Sequence, residues 1–274
     1  MLIGQLSDVH IKPEGRLAYG GRVDTTGHLA AAVRHLNGFV PLIDAVIITG
    51  DLTDRGRAEE YAVLRPLLDE LRAPWFVIPG NHDDRENFFA TFTNLGYFSD
   101  CDPFAHYAIE GFPVRLIGLD TTVPGHPHGI LCHKRLNWLE ETLAAEPEKP
   151  TFLFQHHPPF ETRIKHMDVQ NLQNGEEQFK VLRKHPQVRH VACGHVHRAC
   201  GTTLHGIGVT IAPNIAHAVT LNMTQSAPPM FTMDPPAVRI FSISTSGNVV
   251  SHISYIGEFS GPHPFYTKDG DLID

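Results

Sequence analysis

No apolar stretch of this chain approaches the roughly 20 residues that a membrane helix needs, so a membrane-spanning anchor is not expected. The opening, Met1-Leu2-Ile3-Gly4-Gln5-Leu6, is too short and too uncharged for a signal peptide and runs straight into Asp8. Cysteine is scarce. The four present, Cys101, Cys132, Cys193 and Cys200, make neither a CxxC pair nor a disulfide framework, which points to reduced thiols and a cytoplasmic location. Basic tracts are missing as well: no Lys/Arg run exceeds two residues, and the formal charge is −8. A nucleic-acid polymer would be repelled by that balance, so neither nucleic acid nor a membrane is an expected partner. What the chain does have is 42% apolar residues over 274 positions, enough for one large α/β domain with a smaller appendage. It also carries 19 histidines, far more than chemistry needs.

Short apolar runs recur with helical patterns between them. Leu2–Ser7, Ala45–Thr49, Trp75–Ile78, Val114–Leu119, Thr151–Phe154 and Arg189–Ala192 read as buried strands, each bounded by Gly, Pro or Asp. His28–Phe39, Ala58–Leu71, Lys134–Ala145 and Gly175–Lys184 carry apolar residues at helical spacing. This alternation predicts βαβ units on a mostly parallel sheet, hence an α/β fold. After about residue 203 the pattern changes. Thr203–Ala212, Val238–Thr245 and Asn248–Ile256 read as strands, with Ser246-Gly247-Asn248 as a hairpin turn. Residues 1–202 form the expected catalytic core. Residues 203–274 are expected to be an antiparallel, β-rich extension that completes the sandwich and carries a Met/Pro-rich cap or oligomerisation segment, not an independent domain.

Groups of metal-ligand type stand just after the strand-like runs. They are Asp8-Val9-His10, Gly50-Asp51, Gly80-Asn81-His82-Asp83, His156-His157-Pro158 and Gly194-His195-Val196-His197. Strand ends meet at one edge of an α/β sheet, so residues nearly 190 positions apart can converge there. In an extended strand, residues two apart share a face, which would let Asp8 and His10 grip one ion. His195 and His197 have the same spacing and either share an ion or address two neighbouring ones. Asp51 is the natural bridge between ions about 3.5–4 Å apart. Oxygen and imidazole donors without thiolate suit Mn, Fe, Zn or Co, and seven donors suffice for two divalent ions. Such a site carries net positive charge and attracts a phosphate ester.

The ordered set resembles the calcineurin-like metallophosphoesterase superfamily, whose pattern is D-x-H, GD, GNH(D/E), H and GHxH; the resemblance runs from Asp8 to His197. It implies a four-layer αββα sandwich. It also implies one ion on Asp8, His10, Asp51 and His197 and the other on Asp51, Asn81, His156 and His195. Asn81 and His82 would face the substrate, with His82 as general acid toward the leaving oxygen. The reaction implied is hydrolysis of a small phosphodiester by a hydroxide held between the ions. Gly50-Asp51-Leu52-Thr53-Asp54-Arg55-Gly56 and His156-His157-Pro158-Pro159 resemble the bacterial class III cyclic nucleotide and glycerophosphodiester phosphodiesterase branch. Purple acid phosphatases have a tyrosine ligand three residues after the GD aspartate; here that position is Asp54.

The stretches Pro228-Pro229-Met230 and Asp234–Arg239 resemble the cyclic nucleotide members, so a 3′,5′-cyclic nucleotide is the first expected substrate. A glycerophosphodiester or broad diesterase activity is the alternative, and a non-catalytic protein-binding scaffold of the same fold is a remote one. By resemblance to the glycerophosphodiesterases, His217 contacts the substrate, and the chain forms a homo-oligomer, a dimer or higher. His157 is either a partner of a ligand or a wall of the pocket. Met223–Met233 is packing, a lid or a subunit contact.

Overall fold

Ala45-Val46-Ile47-Ile48-Thr49 is buried at every position, and so is Thr151–Gln155. A strand apolar on both faces needs cover on both, which a sheet in the middle of a layered fold receives. The computed structural model describes residues 1–98 and 103–273, so Cys101 lies outside the described residues. In chain order the strands are β1 (Leu2–Leu6), β2 (Ala45–Thr49), β3 (Trp75–Ile78), β4 (Tyr107–Ile109), β5 (Arg115–Leu119), β6 (Thr151–Gln155), β7 (Val188–Cys193), β8 (Cys200–Leu204), β9 (Ile207–Ile211), β10 (Ala218–Val219), β11 (Phe231–Thr232), β12 (Ala237–Ile243) and β13 (Val249–Tyr255). The helices are α1 (Thr25–Asn37), α2 (Ala58–Asp69), α3 (Arg85–Phe92), α4 (His133–Ala145), α5 (Lys165–Asp168) and α6 (Gly175–Leu182).

One sheet has the order β13-β12-β1-β2-β3 and the other β4-β5-β6-β7-β9-β8. Within them β1, β2 and β3 run parallel, as do β5, β6, β7 and β9. The sheets face each other. Phe152 meets Phe241 at 4.8 Å, the Tyr107 hydroxyl donates to the Val77 carbonyl, and Gln5 Nε2 donates to the Cys193 carbonyl at 2.9 Å. Alternate residues of β6 then serve different layers: Phe152 and Phe154 join the inner core, while Leu153 packs with Leu139, Leu143, Phe179 and Leu182 of α4 and α6. Leu29, Val33, Leu64 and Leu68 of α1 and α2 cover the first sheet. The four-layer αββα sandwich follows from these faces.

Three features differ from the expectation. Thr203–Ala212 is not one strand: β8 and β9 form a hairpin about His205-Gly206, both at positive φ (50° and 84°). A two-residue turn of that hand matches the strand twist. The extension is not wholly antiparallel either. After the hairpin, β9 inserts beside β7 and runs parallel to it. Helix α3 was not expected. Asp84 caps it by accepting from Asn87 N at 2.9 Å, and Phe88 and Phe92, four apart, bury its inner face. The signal was an N-cap aspartate followed by two apolar residues at helical spacing.

The core contains a titratable strut. His190 of β7 stacks on Phe152 at 5.2 Å, packs against Phe241 at 5.1 Å, and meets Thr210 Oγ1 through Nε2 at 2.9 Å. Burial, with the Arg239 charge, pushes its pKa down from 6.5 to about 4. The unfolded chain therefore binds this proton first on acidification. Stability is fully present above pH 6.5 and declines as pH falls toward 4. The expected loss between pH 7 and pH 5 from this group is about 2 kcal/mol. Melting curves across that range should be flatter for His190→Gln; an unchanged slope would remove His190 as the cause.

Candidate active site

The ligand-type residues stand at the carboxyl ends of parallel strands, where open α/β sheets present their sites. Asp8 and His10 follow β1, Asp51 follows β2, Asn81 and His82 follow β3, His156 follows β6, and His195 and His197 follow β7. The expected alternation of an extended strand is not how the pairs converge. Asp8 (φ 55°), His10 (43°), Asp51 (50°), His195 (74°) and His197 (52°) are all in the left-handed region. Each such residue costs of order 1–3 kcal/mol and persists only where its surroundings dictate it. Here they do: Asp8 N donates to the Gly50 carbonyl at 3.0 Å, and His10 N to the Asp51 carbonyl at 3.0 Å. His195 N donates to Asp8 Oδ1 at 3.0 Å. Five strained residues at one edge are the backbone's signature of a functional site.

The side chains gather into two groups that meet at Asp51. In the first, His10 Nε2 lies 3.6 Å from Asp51 Oδ2, His197 Nε2 lies 3.4 Å from Asp8 Oδ1, and the two imidazole nitrogens are 3.1 Å apart. In the second, His156 Nε2 lies 3.4 Å from the same Asp51 Oδ2 and 3.0 Å from Asn81 Oδ1. His195 Nδ1 completes it, 3.1 Å from Asn81 Oδ1 and 3.3 Å from His156 Nε2. Asp8, His10, Asp51, His156, His195 and His197 are all buried.

Protein groups alone do not satisfy this cluster. His10 and His197 point nitrogens at each other, and His10 Nδ1 and His195 Nε2 are buried without a hydrogen-bond partner. Burial chiefly pushes the Asp8 carboxyl up to about 7. Burial would raise Asp51 too, but the charges of His156 and His82 outweigh it and hold that carboxyl well below its usual range. Burial lowers His10 and His195 strongly and His197 to about 4, so these imidazoles are neutral donors. Burial would lower His156, but the Asp51 charge outweighs it and raises that imidazole to about 9. The oxygen and nitrogen atoms that converge here, two of them without a partner, fit divalent cations.

Other predicted residues line the mouth. His82 is exposed; its Nδ1 meets the Asp54 carbonyl at 2.8 Å, which turns Nε2 away from that loop. The Asp51 charge raises its pKa. His217 is buried, its ring 4.5 Å from both His197 and Tyr19, and burial pushes its pKa down to about 3. His157 has both nitrogens engaged, with Thr121 Oγ1 at 2.7 Å and the Pro127 carbonyl at 3.1 Å, so it holds the 121–127 loop. Within the Met/Pro segment, β11 pairs with β10 and brings Phe231 to 5.0 Å from Tyr19, while Met223 and Met233 are exposed. A cavity of about 350 Å³ opens over the cluster, walled by Tyr19, Met167, Gln170, Met230 and Phe231. Met167 and Gln170 had no signal in the spacing, because only the fold brings the segment that carries them to the cavity.

A buried His/Asp cluster able to hold metal, with Asn81 at its edge, stands at the strand ends of an αββα sandwich, the arrangement of a metal-dependent enzyme. The family model of the calcineurin-like phosphoesterases matches residues 1–199, and the chain belongs to that family. A relative from Arcobacter nitrofigilis, named "Probable glycerophosphodiester phosphodiesterase GpdQ", is 43% identical over 100% of both chains. A "Probable cyclic nucleotide phosphodiesterase" from Rhodopseudomonas palustris is 33% identical over 94% of this chain and 93% of its own. The crystal structure of a dimetal phosphatase from Danio rerio shares the fold, with a TM-score of 0.64 at 17% identity over 93% of this chain and 99% of that one.

Proposed function

We propose that this protein is a dinuclear metal-dependent phosphodiesterase of small phosphodiesters. The observation that carries the reading is the shared position of the Asp51 carboxylate, within 3.6 Å of His10 and 3.4 Å of His156. Asp8, His10, Asp51 and His197 would hold one ion, and Asp51, Asn81, His156 and His195 the other. Mn, Fe, Zn and Co all suit this donor set. When bound, the ions supply an activated water nucleophile and neutralise charge on the phosphorus oxygens. The residues do the rest. Backbone hydrogen bonds hold Asp8, His10 and Asp51 in the strained geometry, Asn81 and His82 face the phosphate, and His82 Nε2 is placed to give a proton to the departing alkoxide. His217, with Tyr19, forms a neutral wall for the organic part of the diester.

Two substrate classes are supported. The Pro-rich stretch favours a 3′,5′-cyclic nucleotide, and the aromatic wall of Tyr19 and Phe231 suits a base. Similarity over the whole length to a protein named for glycerophosphodiesters weighs more, because it includes the segment whose Met230 and Phe231 wall the cavity. We rank a glycerophosphodiester first. The cytoplasm is the proposed compartment, in keeping with the free thiols of Cys132, Cys193 and Cys200; among the described residues no helix is long and apolar enough to cross a membrane. A homo-oligomer is part of the proposal, supported by the exposure of Phe259, Phe265, Tyr266 and Leu272. A monomeric mass in light scattering would remove it.

The test is kcat/KM on metal-free protein reloaded with manganese, comparing glycerophosphoethanolamine with 3′,5′-cyclic AMP. The linear diester should be preferred; hydrolysis of monoesters only would sink the diesterase reading. His82→Ala should lower kcat by about 100-fold or more on glycerophosphoethanolamine. The loss should be much smaller on bis-p-nitrophenyl phosphate, whose leaving group needs no proton. Equal losses on both would exclude His82 as the acid.

A further inference from the structure

Asp83 follows Asn81-His82, and its hydrogen bonds reach past its own loop. Oδ1 accepts from Thr53 N at 3.2 Å, Thr53 Oγ1 at 3.0 Å and the Tyr61 hydroxyl at 2.9 Å. Oδ2 accepts from Leu52 N at 3.0 Å and Gly80 N at 2.9 Å. One carboxylate thus joins three pieces of chain: the loop after β2, the loop after β3, and α2. The donors are next to the ligands in sequence. Leu52 follows Asp51, and Gly80 precedes Asn81. Two contacts return the other way, from His82 N to Asp51 Oδ1 at 2.9 Å and from His82 Nδ1 to the Asp54 carbonyl at 2.8 Å. Hydrogen bonds to an ionised acceptor are stronger than neutral ones, and five of them on two oxygens leave little freedom in the spacing of the loops.

We propose that Asp83 is a positioning residue that sets the separation of Asp51 and Asn81, and with it the affinity for the ion these two residues share. The proposal rests on the dinuclear reading above and adds to it a residue that touches neither substrate nor ion. An asparagine in its place turns an NH₂ group toward N–H or O–H donors and repels at least one of them. The loop after β2 is then free to move relative to the loop after β3. Groups that orient ligands in this way are worth about 10–100-fold in metal affinity or activity.

Manganese titrations of metal-free protein, read by calorimetry, test this directly, with the melting temperature of the metal-free form measured alongside. Wild type should take up two ions. Asp83→Asn should take up one with nearly unchanged affinity and the second about 10–100-fold more weakly. Its kcat should fall at manganese concentrations that saturate wild type and be partly restored as manganese is raised. Asp83→Glu should recover part of the second-site affinity. If Asp83→Asn does not fold, Tyr61→Phe removes one of the five donors and should weaken the second ion in the same direction by a smaller factor. A merely structural role would lower the melting temperature and leave both affinities of the folded protein as they were; that result overturns the proposal. Unchanged second-ion affinity in Tyr61→Phe, where Asp83→Asn fails to fold, overturns it as well. Wild type that takes up fewer than two ions would overturn the dinuclear reading, and this proposal with it.

Discussion

Asp51→Asn should lower kcat/KM by at least about 1000-fold, some 4 kcal/mol of transition-state stabilisation, at saturating manganese. The carboxylate is shared by both donor groups, with Oδ2 facing His10 on one side and His156 on the other, while Oδ1 accepts from His82 N. The amide keeps the shape but loses the charge, and one of its ends can no longer accept. Both candidate ions are weakened by one change. The fold should survive it, because Asn is among the residues best tolerated at the left-handed φ of 50° found here. The melting temperature of the metal-free variant should stay within about 5 °C of wild type. Activity assays with a parallel thermal melt separate the two effects. A loss of tenfold or less would show that Asp51 is not the shared ligand.

Gly80→Ala should be nearly as damaging, for a different reason. A Cβ at position 80 would stand 2.2 Å from both the backbone N and the Oδ1 of Asp51. The backbone atom cannot rotate away, so the loop after β3 must retreat from the loop after β2. Across this contact Gly50, at φ 88°, is also confined, its own missing Cβ falling 2.8 Å from Gly80 Cα and 2.6 Å from His156 Nδ1. The two loops approach at this distance because neither has a side chain. A displacement of about 1 Å in a catalytic constellation costs on the order of 100-fold in rate, and overpacking adds roughly 1–3 kcal/mol of instability. Both should be seen in Gly80→Ala, as lost turnover and a lowered melting temperature. Gly111→Ala is the control: nothing lies within 4 Å of its added Cβ, so neither quantity should move. Wild-type turnover in Gly80→Ala would mean that the close approach is incidental to the chemistry.

Much of the scaffold was legible because burial imposes period. Ala45–Thr49 and Trp75–Ile78 form strands over the ranges expected from their apolar runs, and Ala58–Asp69 ends two residues short of the expected helix. Hairpins and caps were less legible. His205-Gly206 carries a turn signal too weak to divide a run of β-formers, and α3 depends on Asp84 as a cap more than on a long apolar stripe. The candidate ligands were legible for a third reason. Metal-type side chains after successive strands are a pattern in type and order, and both survive in one dimension.

The sequence by itself determined the α/β class, the strand ends on which chemistry is displayed, and the residue types available to divalent ions. Tertiary structure decided how those residues meet. Nothing in Asp8-Val9-His10 or His195-Val196-His197 announces that both ends of each pair turn into the left-handed region, since only hydrogen bonds from neighbouring loops hold them there. Nor does the chain announce that Asp83 ties the Asp51 loop to the Asn81 loop, or that Phe231 closes on Tyr19 from more than two hundred residues away. Period and order are properties of neighbours along the chain. Strain, clasped loops and pocket walls are properties of neighbours in space, and they exist only once the two sheets have packed.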